Sequence, residues 1–343
     1  MRYLPQLDGL RGIAIVAVML FHAGISNSRG GFIGVDIFFV LSGFLITTLL
    51  VHEYQMHGSV SLRNFYMRRV LRLLPALLIL LLVFCLLSFL RLDSTDARSN
   101  YVGALIVLFY LSNWARALSL HPPYALDHTW SLSIEEQFYV LWPVILILML
   151  ATLRKPKHVL ALTVFFALAS WFLRVYLMMS GSTVERIYYG SDTRADSLMV
   201  GCALGVFYGT RFWEELNVAR FSRYITILAS VCGLCLLVLV CAADWRQGYM
   251  YYAGFFAVEM LTVIVLIEIL TNTRGPICVA LQTKFIVWVG SISYGLYLWH
   301  YPIFRLFRSH GYETWIIATP DITMIGAFHE RRAGSHSNHH HHR

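Results

Sequence analysis

The chain has 343 residues, of which 58% are hydrophobic and only 13% are charged. A soluble domain carries about 25% charged residues, so this composition excludes an ordinary soluble enzyme. The formal net charge of +8 is typical of positively charged membrane loops, and we therefore expect no nucleic-acid partner. The composition predicts an all-α protein whose helices cross the lipid bilayer several times as a polytopic transmembrane bundle.

Ten apolar segments follow one another along the chain, separated by short loops. Each has about the length that a helix needs to cross a bilayer, roughly 20 residues. They are residues 10–26, 32–51, 73–92, 101–118, 134–153, 158–180, 192–209, 223–242, 250–270 and 283–305. The first segment lacks a small-residue cleavage site, so we expect a retained helix rather than a signal peptide.

Clusters of arginine and lysine set the expected orientation. They follow the second, fifth and seventh segments and precede the tenth, and they would fall on both sides of the membrane if all ten segments crossed it. If residues 101–118 enter and return by the same side, every cluster lies on the side of the N-terminus. Irregular backbone at this depth is tolerated where protein or a cavity satisfies it. We therefore predict about nine spans plus one re-entrant segment, with the N-terminus in the cytosol.

Ionisable residues at membrane depth are costly, and each marks a candidate functional position. On the expected cytosolic side, Asp8 and Arg11 lie at the start of the first helix, and Arg68, Arg69 and Arg72 lie in RRVLRLLP. Arg72 follows Arg68 and Arg69 by four and three residues, which predicts a shared helix face. Guanidinium groups present a planar fork of donors that suits phosphates. The alternative is ordinary anchoring of the helix at the membrane surface.

A second group of ionisable residues lies toward the expected extracytoplasmic side. Its members are His22, Asp36, Asp127, His128, Glu135, Glu136, Arg194, Asp196 and His300. An imidazole can take a proton from a hydroxyl near neutral pH, which makes His22 a candidate base. Asp36 and Glu135 enter from the same side, and we expect one of them to orient His22. The alternative for His22 and for His300 is packing without chemistry.

Three further patterns follow, of which the glycine repeat and the cysteines indicate structure rather than chemistry. Arg194 and Asp196 are two residues apart, so they do not face each other on a helix and each requires another partner. Gly201, Gly205 and Gly209 recur every four residues, a spacing that lets membrane helices approach closely. The six cysteines mostly lie inside apolar segments and are typical of buried small side chains. We expect no metal site.

Several stretches, taken together, resemble the acyltransferase 3 family of bacterial membrane proteins. They are, in family order, LDGLRGIAIVAVMLFH, GGFIGVDIFFVLSGFLIT, FYMRRVLRLLP, HTWSLSIEEQFYVLWP, DTRADSLMVGCALG and SYGLYLWHYPI. The resemblance implies O-acylation, usually O-acetylation, of an extracytoplasmic carbohydrate such as O-antigen or exopolysaccharide. It implies cytosolic acyl-coenzyme A as the donor substrate, no bound cofactor, and a place in the bacterial cytoplasmic (inner) membrane.

The resemblance also implies roles for particular residues. It points to His22 as the catalytic residue and to Glu135 as the family's glutamate, and we add Asp36 as a third catalytic candidate. Donor handling is implied for the motif arginines: Arg11, Arg68, Arg69 and Arg72. Four more positions are predicted to support the acceptor or the structure: His128, Arg194, Asp196 and His300.

A transporter of a small anionic or acylated substrate is the alternative function. Transporters often show inverted repeats and paired broken helices, which are not evident in this sequence, so we favour the enzyme. We predict one membrane domain over residues 1–312. Residues 313–343 lack the further apolar helix that family members have and end in a His-rich stretch typical of a cloning remnant. We expect this tail to be atypical or truncated.

Overall fold

The computed structural model describes residues 3–91, 94–153, 155–210, 212–272 and 274–309, and the predicted tail at 313–343 lies outside them. The described residues form helices joined by short loops. The α-helices are α1 (Pro5–His22), α2 (Gly34–His57), α3 (Leu62–Arg91), α4 (Ser94–Leu108), α5 (Ser112–Ala117), α6 (Trp130–Thr152), α7 (Pro156–Met179), α8 (Val184–Tyr189), α9 (Ser191–Gly209), α10 (Phe212–Glu215), α11 (Ser222–Ala242), α12 (Phe255–Thr271), α13 (Pro276–Leu281), α14 (Lys284–Ser291) and α15 (Ser293–Ser309). A 3₁₀ helix at Tyr124–Thr129 leads directly into α6.

Within the described part of the chain, six helical stretches are long and apolar enough to cross a membrane. They are Ser26–His57, Leu62–Leu90, Tyr124–Thr152, Pro156–Met179, Val218–Ala242 and Met250–Thr271. Helices α1 and α9, which contain charged motif residues, are not among the six. The predicted polytopic all-α bundle is confirmed, while the count of nine spans stays a prediction.

Glycines bring α2 and α9 into backbone contact. A Cβ atom added at Gly43 would collide with the carbonyl oxygen of Leu198, and one added at Gly201 would collide with that of Val40. A Cβ at Gly205 would meet the Thr47 side chain and the Phe44 carbonyl oxygen. The predicted role of the small-residue repeat in close helix approach is therefore confirmed for this pair.

The apolar segment 101–118 is not one continuous helix. Helix α4 stops before Tyr110, whose backbone is left-handed with a φ of 53°, and the short helix α5 follows. The chain then returns, so that Nε2 of His121 lies 3.3 Å from the carbonyl oxygen of Ser99. The two ends of the segment therefore lie together, while its entry into and return from the membrane by one side stays a prediction.

Two buried ion pairs fix α9 between its neighbours. Arg194 pairs with Asp36 of α2 at 2.7 Å, and Asp196 pairs with Arg174 of α7 at 2.6 Å. All four side chains are buried, and a buried charge without a partner is strongly destabilising. The prediction that Arg194 and Asp196 each need a separate partner is confirmed.

Candidate active site

Three histidines from distant parts of the chain meet at the C-terminal end of α1. Nδ1 of His22 lies 3.1 Å from Nε2 of His300, and the ring centroids of His128 and His300 are 5.4 Å apart. The ring of Tyr301 is 5.3 Å from that of His22 and 5.1 Å from that of His128. Because His128 and His300 are buried, this histidine cluster is largely shielded from water.

Backbone carbonyls fix the proton position on His300. Its Nδ1 atom lies 2.8 Å from the carbonyl oxygen of Tyr297 and 3.1 Å from that of Leu296. Carbonyl oxygens only accept hydrogen bonds, so Nδ1 carries a proton and, in the neutral ring, Nε2 is an acceptor. His300 Nε2 therefore accepts from the Nδ1–H group of His22. The lone pair of neutral His22 is consequently on Nε2, where it can take a proton.

The partner of His22 differs from the carboxylates expected to orient it. Asp36 accepts hydrogen bonds from Arg194 at 2.7 Å and from Ser197 at 3.2 Å. Glu135 lies farther along α6 and accepts one from Ser42 at 2.6 Å. The expectation that Asp36 or Glu135 orients His22 is corrected, because His300 takes that place at Nδ1.

A polar cleft opens among α1, α2, α3, α6 and α15. Its walls carry Arg11, Arg69 and Arg72 together with the carboxyl groups of Glu135 and Glu136. Hydroxyl and aromatic side chains complete the lining, among them Ser42, Ser131, Tyr139, Tyr294 and Tyr297. This arginine cleft therefore combines three guanidinium groups and two carboxyl groups with hydroxyl and aromatic side chains.

The structure separates Arg68 from the other motif arginines. Consecutive residues differ by about 100° around a helix, so Arg68 points away from the face that carries Arg69. Arg68 is exposed, whereas Arg69 is half-buried and its guanidinium lies 4.9 Å from the ring centroid of Tyr139. Arg11, Arg69 and Arg72 are brought together in the cleft, and Arg68 is left outside it.

Tyr297 connects the arginine cleft to the histidine cluster. Its side chain lines the cleft, and its hydroxyl donates a hydrogen bond to the carbonyl oxygen of His128 at 2.8 Å. Its ring centroid lies 5.5 Å from that of His300. Ser131, which also lines the cleft, is 2.5 Å from the same hydroxyl. The two polar sites therefore share Tyr297 as a common wall.

The four residues predicted to support the acceptor or the structure fall in two places. His128 and His300 lie beside His22 in the histidine cluster. Arg194 and Asp196 instead form the buried ion pairs that hold α9. The first pair can influence chemistry at His22 directly, whereas the second pair stabilises the packing around it.

The sequence prediction omits three tyrosines that line the site. Tyr294 and Tyr297 face the arginine cleft, and Tyr301 contacts the histidine cluster. Their spacing of three and four residues within SYGLYLWHYPI places them on one face of α15. That periodicity is the signal in the sequence that identifies them.

Comparison with known proteins identifies the family of this chain. The profile of the acyltransferase domain family, Acyl_transf_3, matches residues 4–328. Peptidoglycan O-acetyltransferase OatA of Listeria monocytogenes is 35% identical, with 89% of this chain and 50% of that protein aligned. YrhL of Bacillus subtilis, which has the same enzyme name in provisional form, is 34% identical, with 89% and 49% aligned. A provisionally named O-acetyltransferase of Staphylococcus aureus is 32% identical, with 90% and 52% aligned.

This chain spans about half the length of the curated relatives it matches. No solved structure gives a significant match. The family match covers nearly the whole chain and includes the helices that carry His22, Arg69 and His300. The chain belongs to the acyltransferase domain family.

Proposed function

We propose that this protein is a membrane O-acetyltransferase of the bacterial cytoplasmic membrane. It moves an acetyl group from cytosolic acetyl-coenzyme A to a hydroxyl of a carbohydrate outside the cytosol. The observation that carries this proposal is the wall shared at Tyr297 by the arginine cleft and the histidine cluster. The names of the relatives, among them a peptidoglycan O-acetyltransferase, support acetyl as the group and a cell-surface glycan as the acceptor.

The side chains that line the cleft suit the donor. Coenzyme A carries its phosphates at one end and its thioester at the other, with a long uncharged arm between them. Arg11, Arg69 and Arg72 suit the phosphates, and the serine and tyrosine lining suits the arm. Arg11 and His22 are eleven residues apart on the continuous helix α1, which corresponds to about 16 Å along its axis. The arm lets the thioester approach the histidines while the phosphates stay near the arginines.

With His22 as the general base, every bond and every proton of the acetyl transfer is accounted for. Nε2 of His22 takes the proton of the acceptor hydroxyl as the hydroxyl oxygen attacks the thioester carbon. The new C–O bond forms and the C–S bond breaks. The proton then passes from His22 to the departing thiolate, which leaves as the thiol of coenzyme A. His300 keeps the Nδ1 proton of His22 in place throughout. A covalent acetyl-histidine is the alternative route.

Reconstitution in proteoliposomes tests this proposal. Radiolabelled acetyl-coenzyme A is supplied on one side of the membrane and a soluble oligosaccharide on the other. The proposal predicts a labelled sugar ester together with one equivalent of free thiol. Movement of label or oligosaccharide across the membrane without ester formation would indicate a transporter and would overturn the proposal.

A further inference from the structure

A second polar opening lies between α3, α4, α15 and the loop that precedes α6. Its lining includes Ser99 and Asn100 of α4, Tyr124 of the 3₁₀ helix, and Arg305 of α15. Phe84 and two consecutive prolines form its apolar side. This outer groove contains none of the residues that line the arginine cleft.

The outer groove and the arginine cleft lie on opposite sides of the histidine cluster. Along α15, Tyr297 lines the cleft, His300 joins the cluster and Arg305 lines the groove. The chain that leads into α6 contacts the same three sites in the opposite order. Tyr124 lines the groove, His128 belongs to the histidine cluster, and α6 then lines the arginine cleft. Arg305 is about 7.5 Å along α15 from His300.

Contacts between separate segments hold the walls of the outer groove. Nη1 of Arg305 donates to the carbonyl oxygen of Tyr124 at 2.5 Å, and His121 contacts Ser99 as described above. The guanidinium of Arg116 lies 5.3 Å from the ring centroid of Tyr124, yet Tyr124 remains 54% exposed. The ring of Tyr124 is therefore contacted by Arg116 and still accessible.

We infer that the outer groove binds the sugar acceptor, which deepens the proposed function and rests on it. A sugar ring offers an apolar C–H face to an aromatic ring and hydroxyls to hydrogen-bonding groups. Tyr124 supplies the aromatic ring, and Ser99, Asn100 and Arg305 supply a hydroxyl, an amide and a guanidinium. A glycan seated on Tyr124 extends toward His22 from the side opposite the donor. Donor and acceptor then reach the histidine cluster through separate openings.

Steady-state kinetics with a soluble disaccharide fragment of peptidoglycan and acetyl-coenzyme A test the inference. We expect Tyr124→Leu and Asn100→Ala to raise the KM for the disaccharide roughly fivefold to tenfold, with the KM for acetyl-coenzyme A unchanged. Tyr124→Phe keeps the ring and should raise the disaccharide KM less. Tyr176→Leu is the matched control, because Tyr176 is a similarly exposed tyrosine of α7 outside the groove.

A second measurement covers the case in which Tyr124→Leu does not fold. Ser99→Cys, introduced after the six native cysteines are replaced, should react with a maleimide more slowly when the disaccharide is present. An unchanged disaccharide KM in Asn100→Ala and unaltered labelling at position 99 would overturn the assignment of the groove. The proposed function would still stand if the wild type forms the sugar ester, and it would fail only if no ester forms.

Discussion

Nε2 of His300 accepts a hydrogen bond from Nδ1 of His22 over 3.1 Å. The other ring nitrogen of His300, Nδ1, donates to the carbonyl oxygens of Leu296 and Tyr297. The tautomer of His22 is thus set by a neutral imidazole rather than by a carboxylate. A buried carboxylate at membrane depth carries a high desolvation cost. The neutral imidazole of His300 fixes the Nδ1 proton of His22 without placing another charge beside the reacting groups.

Replacement of His300 should slow the chemical step without weakening donor binding. His300→Leu removes the acceptor for the Nδ1–H group of His22, so we expect kcat to fall by up to about 100-fold. His300→Gln can place an amide oxygen near the former Nε2 position and should recover part of this loss. Initial rates at saturating acetyl-coenzyme A, with its binding measured separately, make the comparison. Equal rates in His300→Leu and the wild type would show that His300 only packs.

The cleft predicts which motif arginines bind the donor. Arg69→Ala and Arg72→Ala should each weaken coenzyme A binding by roughly 1.5–3 kcal/mol, as expected for a lost charge-assisted contact. Lysine should restore only part of the affinity, because it lacks the planar fork of donors. Arg68→Ala is the matched control on the same helix, and its affinity should equal that of the wild type. Isothermal titration calorimetry in detergent measures the coenzyme A affinity of the three alanine variants. Unchanged affinity in Arg69→Ala and Arg72→Ala would show that these arginines only anchor the helix at the membrane surface.

Ser197 lies between two buried carboxyl groups, and its hydrogen-bond geometry predicts that one of them is protonated. Its Oγ atom is 2.7 Å from Oε1 of Glu259 and 3.2 Å from Oδ1 of Asp36, but a hydroxyl has one proton to donate. Both contacts are attractive only if one carboxyl is protonated and donates to Ser197. Because Asp36 is paired with Arg194, we expect the proton on Glu259.

Two amide substitutions distinguish these carboxyl groups. Glu259→Gln keeps a hydrogen-bond donor near Ser197 and should leave the temperature of thermal unfolding in detergent nearly unchanged. Asp36→Asn leaves the Arg194 charge buried without its partner and should destabilise the protein by about 3–5 kcal/mol. If Glu259→Gln unfolds as early as Asp36→Asn, Glu259 is ionised in the folded protein and the prediction is wrong.

The return of the chain after α5 predicts the sidedness of two loops. Single cysteines at Ser99 and at His121 should both react with an impermeant maleimide added outside intact cells, because the two residues are in contact. A cysteine at Lys157, at the start of α7 and on the side predicted to be cytosolic, should react only after the membrane is opened. Labelling of positions 99 and 121 from opposite sides would exclude the re-entrant arrangement.

Local patterns in the sequence predict the helices and some of their constraints. Apolar length predicts the bundle, charge distribution predicts the return within 101–118, and small-residue spacing predicts the close approach at Gly201. The first and the third are decided within a few helical turns, whereas the second depends on where lysine and arginine fall along the whole chain. The spacing of three and four residues predicted a shared helix face for Arg68, Arg69 and Arg72, but such a face covers about 100° or more of the helix. Only the part of that face with Arg69 and Arg72 lines the cleft.

Partners across the bundle could not be predicted from local patterns. The spacing of Arg194 and Asp196 requires a separate partner for each, but the choice of Asp36, 158 residues away from Arg194, depends on how α2 packs on α9. The pairing of His22 with His300 joins residues 278 positions apart. Such contacts are set by tertiary packing, which periodicity along the chain does not encode.

A single-turnover assay of His22→Gln tests most directly the claim that His22 is the base for acetyl transfer. The variant is mixed with acetyl-coenzyme A and acceptor, and His52→Gln, an exposed histidine of α2, serves as the matched control. We predict that His22→Gln binds the donor normally but forms sugar ester on the order of 100- to 10,000-fold more slowly, while His52→Gln retains the wild-type rate. Ester formation by folded His22→Gln at the wild-type rate would contradict this account.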